Sequence, residues 1–497
     1  MELVRKSIPY YDVILDNVTV YEESADAIVP DTFPDIARIA YADGMVTVGD
    51  QSPQNDRILV SGSVAATVLY QPEGETGLRR LDIPLSFAHI EEGRGVGADS
   101  VCFVRCSVAA VNARAVNSRK VSVTARLCFE TSAYQPEALG YTEQIDSGEL
   151  PLEVLYDTRE ISLLRAADTG EFTVLDDLEL NSADDLELLH TDCILRQNEC
   201  RAMNGRLLVR GEGVLRLLLR DDTGSLQQIT QTVPFTQMLD VEGLTEGEPV
   251  TLRLAVRSVD CVLASGGLLS VGIGAAALVL RDETHTVRTI RDLYQTKHDL
   301  QVQAGQAGAH CCALCGGFSA DGMETMPVGM RVTQYVCAKA VCTGAQAEDD
   351  GTIQLKAEVD VVYLDDEGSL YQARRTMSVP VRPNAPLHGA VPKDIALQVT
   401  AAPSGEDSVS LRLAVSGQLV RTGQESFQDI TSLEVSAEEK PGMGDVTLVL
   451  RCVEDGEPLW DIAKQYATTT AAIRAANGLA EDQQTVGAQM LLIPIES

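Results

Sequence analysis

Residues 58–87, ILVSGSVAATVLYQPEGETGLRRLDIPLSF, decide the fold because their pattern occurs three times in the chain. Related stretches are LLVRGEGVLRLLLRDDTGSLQQITQTVPF at 207–235 and IQLKAEVDVVYLDDEGSLYQARRTMSVPV at 353–381. Each contains a run of β-branched residues and leucines, a polar turn with glycine, and a second run that ends near a proline. This pattern predicts a repeated strand-turn-strand unit.

Two sets of anchor residues give nearly the same period. The prolines of the second run lie 150 and 146 residues apart, at Pro84, Pro234 and Pro380. The residues that end the first run lie 149 and 144 residues apart, at Tyr70, Leu219 and Tyr363. Since such a period is the length of a whole domain, the sequence predicts three repeated domains.

The chain of 497 residues has room for three or four domains of about 150 residues. We assign residues 1–145, 146–297 and 298–434 to three repeats, with copy boundaries near the polar stretches 131–150 and 301–320. The third repeat is degenerate, because it carries Val381 where the others carry Phe87 and Phe235. A linker with proline and glycine is expected at 435–445, followed by a last domain at 446–497.

Short strands between glycine-rich turns predict a mainly β fold, with sandwich or barrel-like repeats. A short helix is expected in the first two repeats, at 30–44 and 181–190. Pro34 suits the first helical position, and Asn181 or Ser182 could cap the second helix. Residues 261–280 are apolar enough to resemble a membrane span, but Gly266 and Gly267 favour a β-hairpin.

The last 50 or so residues predict a small α+β domain of order βααβ. An opening strand at 446–453 precedes Leu459, Ile462 and Ala463, which recur at helical spacing. A second helix at 470–476 ends at Asn477 and Gly478, a helix stop signal. The closing strand begins at Met490 and ends at Pro494.

The net charge of −34 argues against binding to nucleic acid or anionic lipid, and favours either a solvated acidic surface or a basic partner. The first residues, MELVRKSIPYYD, lack the apolar region of a secretory signal, so a cytosolic location with reduced thiols is expected.

The cysteines at 312, 315, 337 and 342, with His310 nearby, suggest a zinc site or a redox dithiol. The second pair is loosely spaced, and the second repeat has no counterpart of Cys312 and Cys315. We therefore expect ordinary core or loop cysteines, no metal and no cofactor. The sequence also lacks the phosphate-loop, zinc-protease and nucleophile-elbow motifs, and its histidines have no paired spacing, so an enzyme is not expected.

The last domain resembles the LysM family, whose motif matches in order and spacing. The matching positions are Gly456, Glu457, Leu459, Trp460, Ile462, Ala463, Tyr466, Asn477, Gly487, Met490, Leu492 and Pro494. Glu457 departs from the aspartate of the family. The resemblance implies a ligand groove between two loops, formed by Gly456, Glu457, Pro458, Leu459, Asn477, Gly478 and Leu479.

Two groove residues have alternative roles. Trp460 could be a core residue or an aromatic residue at the edge of the groove. Asn477 could contact a ligand or only cap the second helix. We expect that replacing Leu459 or Ile462 unfolds the domain, whereas replacing Glu457 or Asn477 leaves the fold intact and weakens binding.

The three repeats resemble the SPOCS domain of endospore-forming bacteria. The opening VPDTFPDIARI at 29–39 and the pattern Gly62–x6–Leu69–Tyr70 carry this resemblance. SPOCS repeats followed by one LysM domain resemble the SipL-type family of spore-coat morphogenesis proteins. This implies a non-enzymatic adaptor in the mother-cell cytoplasm that docks a coat scaffold ATPase, or another coat protein, to the forespore surface.

Two further functions are compatible with the sequence. The chain could be an anchor whose LysM domain binds peptidoglycan or a chitin-like N-acetylglucosamine glycan. It could also be a phage or secretion-system component, in which LysM is a protein-docking module. The acidic residues Glu454, Asp455 and Glu457 favour a basic protein surface over a neutral glycan.

Overall fold

The computed structural model describes residues 2–148, 151–180, 186–348, 350–382, 390–405, 407–440 and 446–495. Nearly all of this part of the chain is β-strand, with two short helices close to the C-terminus, which confirms the mainly β class. The strands form three similar units, here called copy one (2–146), copy two (153–294) and copy three (298–439).

Each copy contains six strands within the described residues. Copy one comprises β1 (Glu2–Ile28), β2 (Ile36–Gln54), β3 (Arg57–Pro72), β4 (Arg79–Glu92), β5 (Val101–Asn117) and β6 (Lys120–Asp146). Copy two comprises β7 (Glu153–Glu179), β8 (Glu187–Met203), β9 (Arg206–Arg220), β10 (Leu226–Asp240), β11 (Thr251–Leu263) and β12 (Leu268–Tyr294). Copy three comprises β13 (His298–Pro327), β14 (Gln334–Ala347), β15 (Ile353–Leu364), β16 (Leu370–Val381), β17 (Ala390–Ser404) and β18 (Ser408–Glu439).

The three copies share one topology. The second, third and fourth strands of each copy form an antiparallel meander, which contains the predicted strand-turn-strand unit. The long first and sixth strands pair along their length, and the fifth strand lies on the other side of the sixth. Alternate residues of the two sheets face each other, so that Phe87 of β4 contacts Phe129 of β6 at 5.7 Å between ring centroids. Each copy is therefore a two-sheet sandwich.

One close contact inside the meander distinguishes copies one and two from copy three. A Cβ atom on Gly211 would lie 2.6 Å from Cζ of Phe235 and 2.3 Å from the carbonyl oxygen of Arg196, and Gly62 has the same environment beside Phe87. In copy three the paired positions hold Leu355 and Val379. In copy three, the glycine is thus replaced by the larger Leu355 and the phenylalanine by the smaller Val379. The residue equivalent to Phe235 is therefore Val379 and not Val381, as the sequence had suggested.

The predicted helices at 30–44 and 181–190 are wrong. Residues from Ile36 onward form β2, which pairs with β3, and residues from Glu187 onward form β8, which pairs with β9. Pro34 lies in the loop before β2, where its carbonyl oxygen accepts a hydrogen bond of 3.0 Å from Tyr70 Oη. Long-range strand pairing outweighs the local capping signals here. Residues 181–185, with both proposed caps, lie outside the described residues.

The polar stretches expected near the copy boundaries, and part of the predicted linker, are strand. Most of 131–150 belongs to β6, and all of 301–320 belongs to β13. Residues 435–439 of the predicted linker are the end of β18, and Lys440 N–H donates to the carbonyl of Lys297 at 2.7 Å. Residues 441–445 lie outside the described residues. The segment that leads to the last domain is thus tied to copy three as far as residue 440.

The apolar stretch 261–280 is a β-hairpin, as predicted. It comprises the end of β11 and the start of β12, which pair antiparallel around the turn at Gly266 and Gly267. No helix in the described part of the chain is both long enough and apolar enough to cross a membrane.

The three copies pack against one another through shared hydrophobic clusters. One cluster joins the long strands and includes Tyr141, Leu163 and Phe427. A second joins the meanders, with Leu69, Leu218 and Val362 at equivalent positions of copies one, two and three. Residues distant in sequence thus form shared clusters, which hold the three sandwiches together.

A buried charged cluster adjoins the meander cluster. Asp43 of copy one accepts a hydrogen bond from Lys339 Nζ of copy three, and its Oδ2 lies 3.4 Å from Nε2 of His190 of copy two. Asp43 is 4% exposed. Burial raises the pKa of Asp43, but Lys339 and His190 outweigh this effect and hold it below its usual value. Burial lowers the pKa of His190. The ionised pair between Asp43 and Lys339 therefore links copies one and three.

Candidate functional site in the C-terminal domain

The C-terminal domain has the predicted βααβ order with one additional small strand pair. Its elements are β19 (Leu448–Val453), β20 (Glu457–Pro458), α1 (Leu459–Gln465), α2 (Thr470–Asn477), β21 (Thr485–Val486) and β22 (Gln489–Pro494). The core contains Leu459, Ile462 and Ala463 of α1 with Ile473 of α2, all 1% exposed or less. Hydrophobic residues at helical spacing therefore hold both helices against the sheet.

Local capping fixes the ends of α2. The Oγ1 atom of Thr469 accepts a hydrogen bond of 3.0 Å from the N–H of Ala472. Gly478 follows the helix in the left-handed conformation with φ of 62°, as the predicted stop signal requires.

The first predicted groove loop and helix α2 both form hydrogen bonds with the same short segment of chain. The N–H of Gly456 donates to the carbonyl of Val486, and the N–H of Leu459 donates to the carbonyl of Gln484, both at 2.9 Å. On the other side, Arg474 Nη2 donates to the carbonyl of Gln483 at 2.9 Å. The segment 483–486 thus connects the first loop to the C-terminal part of α2.

The groove residues differ in accessibility. Gly456, Pro458 and Gly478 are exposed, and Leu479 is half-buried against the domain core. Leu459 is 1% exposed, so it offers little surface to a ligand. Glu457 is half-buried, and its Oε1 accepts a hydrogen bond of 2.6 Å from Arg451 Nη2.

Asn477 holds α2 to β22. Its Nδ2 donates to the carbonyls of Ile473 at 2.8 Å and Leu492 at 2.6 Å, and its Oδ1 accepts from the N–H of Leu492 at 2.8 Å. Removing this side chain would leave both groups of Leu492 without these partners. From these contacts we expect replacement of Asn477 to destabilise the domain, in contrast to the expectation from the sequence.

Trp460 contacts copy two through a hydrogen bond and a ring contact. Its Nε1 donates to Asp292 Oδ2 at 2.7 Å, and its ring packs edge-on against Tyr294 with centroids 4.9 Å apart. Lys464 Nζ donates to the same carboxylate at 2.7 Å. Tyr294 Oη donates to the carbonyl of Thr468 at 2.7 Å. Trp460 thus contributes to a domain contact, and its indole N–H is committed to that contact.

Sequence reasoning did not find this contact because its partners are distant. Asp292 and Tyr294 lie at the end of β12, and no motif in copy two marks them as contacts for a domain about 170 residues later. Burial raises the pKa of Asp292, but Lys464 and Trp460 outweigh it and lower the pKa. The ionised carboxylate therefore strengthens both hydrogen bonds.

The cysteines proposed for zinc are distributed over different parts of copy three. Cys315 and Cys342 pack on the sandwich core, whereas Cys337 lies in the cluster between the meanders. Burial raises the pKa of Cys337 to about 12. His310 Nδ1 lies 2.9 Å from Asp12 Oδ1. The side chain of Cys312 lies outside the described part, and no three potential metal ligands cluster within that part.

Comparison with known families assigns both kinds of domain. Residues 186–264 match the family described as SipL, SPOCS domain, over β8 to β11 of copy two. Residues 453–494 match the LysM domain. No curated protein and no solved structure matches the chain. The chain thus combines a SPOCS domain with a C-terminal LysM domain, both non-catalytic binding modules. This combination indicates a sporulation-related protein with a module of the peptidoglycan-binding type.

Proposed function

We propose that the chain is a non-enzymatic adaptor in spore-coat morphogenesis. Its SPOCS-type copies and LysM domain together dock a coat scaffold ATPase, in the mother-cell cytoplasm, to the forespore surface. The observation that supports a protein partner most strongly is the position of Trp460, whose ring and indole N–H contact copy two. A glycan site would be expected to offer an aromatic face to the sugar ring.

The charge of the groove supports the same proposal. Glu454 and Asp455 are exposed in the turn that precedes Glu457, and the chain as a whole carries a net charge of −34. Acidic groups attract a basic protein surface and contribute little to recognition of a neutral sugar. The contact with copy two also joins the LysM domain to the copies. The groove and the copies would then engage a scaffold as one surface.

A charge-reversal variant tests the groove. We expect the Glu454→Lys/Asp455→Lys protein to bind the polymerised scaffold about tenfold more weakly, because two attractive charges become repulsive. The matched control is Asp222→Lys/Glu367→Lys, which changes the net charge equally at exposed hairpin turns of copies two and three. Co-sedimentation with the scaffold gives the dissociation constants. Equal weakening by both variants would mean that only total charge matters and would contradict a groove site.

The alternative function is a peptidoglycan anchor, which the assignment of the LysM domain favours. In that case both charge variants would remain on insoluble peptidoglycan as the wild type does, and none would sediment with the scaffold.

A further inference from the structure

Copy two exposes apolar side chains on the outer face of its long-stranded sheet. Leu175 of β7, Val262 of β11 and Leu268 of β12 are 79%, 66% and 41% exposed. Strand pairing places Leu175 opposite Gly272, and Val262 opposite Ser270. Since alternate residues of a strand share one face, all three side chains emerge on the same side of the sheet, around a floor of small residues. We call this surface, with Asp177, the tip face.

Copy one provides an internal comparison, because the same strand positions there are polar. Ser270 corresponds to Ser122, whose partners are Asp26 and Arg114. By the same pairing, Leu175, Val262 and Leu268 correspond to Ser24, Arg114 and Lys120. The sandwich therefore does not require apolar residues at these positions. Copy three carries Ser408 and Ala402 at the positions of Leu268 and Val262, and Met323 at that of Leu175. The full apolar set is therefore found in copy two.

The acidic residue of this face, Asp177, has no cation at the two strand positions that carry Lys120 and Arg114 in copy one. In copy one, Lys120 Nζ lies 2.7 Å from Asp26 Oδ2, and hydrogen bonds from Lys120 and Ser122 lower the pKa of Asp26. The equivalent Asp177 accepts a hydrogen bond of 2.6 Å from Ser270 Oγ, but it forms no ion pair among the described residues. Leu268 and Val262 occupy the positions of the two cations.

We propose that the tip face docks a basic amphipathic segment of a partner protein. Apolar side chains of that segment would cover Leu175, Val262 and Leu268, and its lysine or arginine would pair with Asp177. Asp260 and Glu179, also exposed, add negative charge to the rim. Exposed apolar groups inside a polar rim are typical of protein interaction sites.

A second copy of the chain is a poorer fit to this face than a basic partner. Two tip faces placed together would bring the carboxylates of both rims into proximity, and each chain carries a net charge of −34. The surface is separate from the LysM groove, so the inference does not depend on what the groove binds.

The test uses the full chain and the residues that copy one supplies. The variant is Leu175→Ser/Val262→Arg/Leu268→Lys, and the matched control is Met323→Ser, which removes a 75% exposed apolar side chain from β13 of copy three. The probe is a fluorescent synthetic peptide of leucine and lysine at helical spacing, about 18 residues long so that it can form a helix. A peptide with glutamate in place of lysine reports the requirement for positive charge.

Fluorescence anisotropy at physiological salt should show the lysine peptide bound by the wild type and the control. The triple variant should bind at least about tenfold more weakly, and the glutamate peptide should not bind. Unchanged thermal unfolding of the triple variant shows that its fold is intact. Equal binding of the lysine peptide by wild type and triple variant, or no binding by either, would overturn the proposal. So would a wild-type dimer in light scattering that the triple variant abolishes, since the occupant would then be a second copy.

The outcome is independent of the adaptor proposal. The Glu454→Lys/Asp455→Lys protein should bind the lysine peptide as the Asp222→Lys/Glu367→Lys protein does. A tip face that does not bind the peptide would therefore leave the interpretation of the scaffold co-sedimentation unchanged. Likewise, a groove variant with no effect on scaffold binding would leave the interpretation of the peptide experiment unchanged.

Discussion

Replacing Lys339 by methionine is expected to lower the free energy of unfolding by about 3–5 kcal/mol. Lys339 is the cation that donates to the buried carboxylate of Asp43 where the three copies meet. Without it, Asp43 would keep the N–H of Gly44 at 2.7 Å and Tyr41 Oη at 3.3 Å, but its charge would be buried without an ionised partner. The cost arises from this uncompensated charge rather than from the loss of one hydrogen bond.

Urea denaturation followed by circular dichroism measures the effect of the Lys339 variant. Lys356→Met is the matched control, because Lys356 is exposed on β15 and forms no ion pair within the described residues; its effect should stay within about 0.5 kcal/mol. The Asp43→Asn/Lys339→Met variant should recover part of the loss, since it removes both charges. A Lys339→Met protein as stable as the Lys356→Met protein would contradict a buried ion pair at the junction.

The pH of that experiment matters because of His190. Its folded-state pKa lies below the ordinary value of 6.5, so the unfolded chain binds an additional proton near and below that pH. The stability contributed by a neutral His190 is fully present above about pH 6.5 and is lost as the pH falls through the folded-state pKa. Measurements at pH 7.5 therefore isolate the pair between Asp43 and Lys339.

Replacing Ile462 by alanine is expected to destabilise the LysM domain by about 2–5 kcal/mol. Ile462 is 0% exposed and lies in the domain core with Ile473 and Leu491. The smaller side chain leaves a cavity that a domain of this size has few neighbouring groups to fill. Apart from Tyr294, the core residues of the LysM domain come from the domain itself, so the three sandwiches should retain their stability.

Trp460 makes this effect measurable, since it is the single tryptophan of the chain and contacts Tyr294. Its fluorescence should report the LysM domain, while circular dichroism of the strands reports the copies. Ile462→Ala should shift the fluorescence transition to lower urea, and the matched control Leu450→Ala, at a 58% exposed position of the same domain, should not. An equal shift of both signals by Ile462→Ala would mean that the domain and the copies unfold as one unit.

The features that the sequence predicts well are those with local signals. The meander hairpins follow from alternating apolar residues and from turn glycines such as Gly224 and Gly368, both at positive φ. The LysM helices follow from the spacing of Leu459 and Ile462 and from the stop at Gly478. In each case the residues that determine the element lie within it or next to it.

The features that the sequence did not predict depend on distant partners. β1 pairs with β6, so that Glu2 lies opposite Asp146, and no local pattern encodes such a pairing. Pro34 and the acidic residues near it resemble a helix start, but pairing of β2 with β3 determines the structure. The contact of Trp460 with Asp292 likewise joins two domains through individual side chains. In the groove, the motif identified Asn477, and only the geometry shows that its side chain is committed to Leu492.

The most direct test of the adaptor proposal compares the two ligand classes on the intact protein. The full-length chain is mixed either with insoluble peptidoglycan or with the polymerised coat scaffold ATPase, and the bound fraction is measured by sedimentation over a range of concentrations. We expect saturable binding to the scaffold, at least about tenfold tighter than any retention on peptidoglycan. Tight retention on peptidoglycan with no measurable affinity for the scaffold would contradict the adaptor proposal and establish the chain as a peptidoglycan anchor.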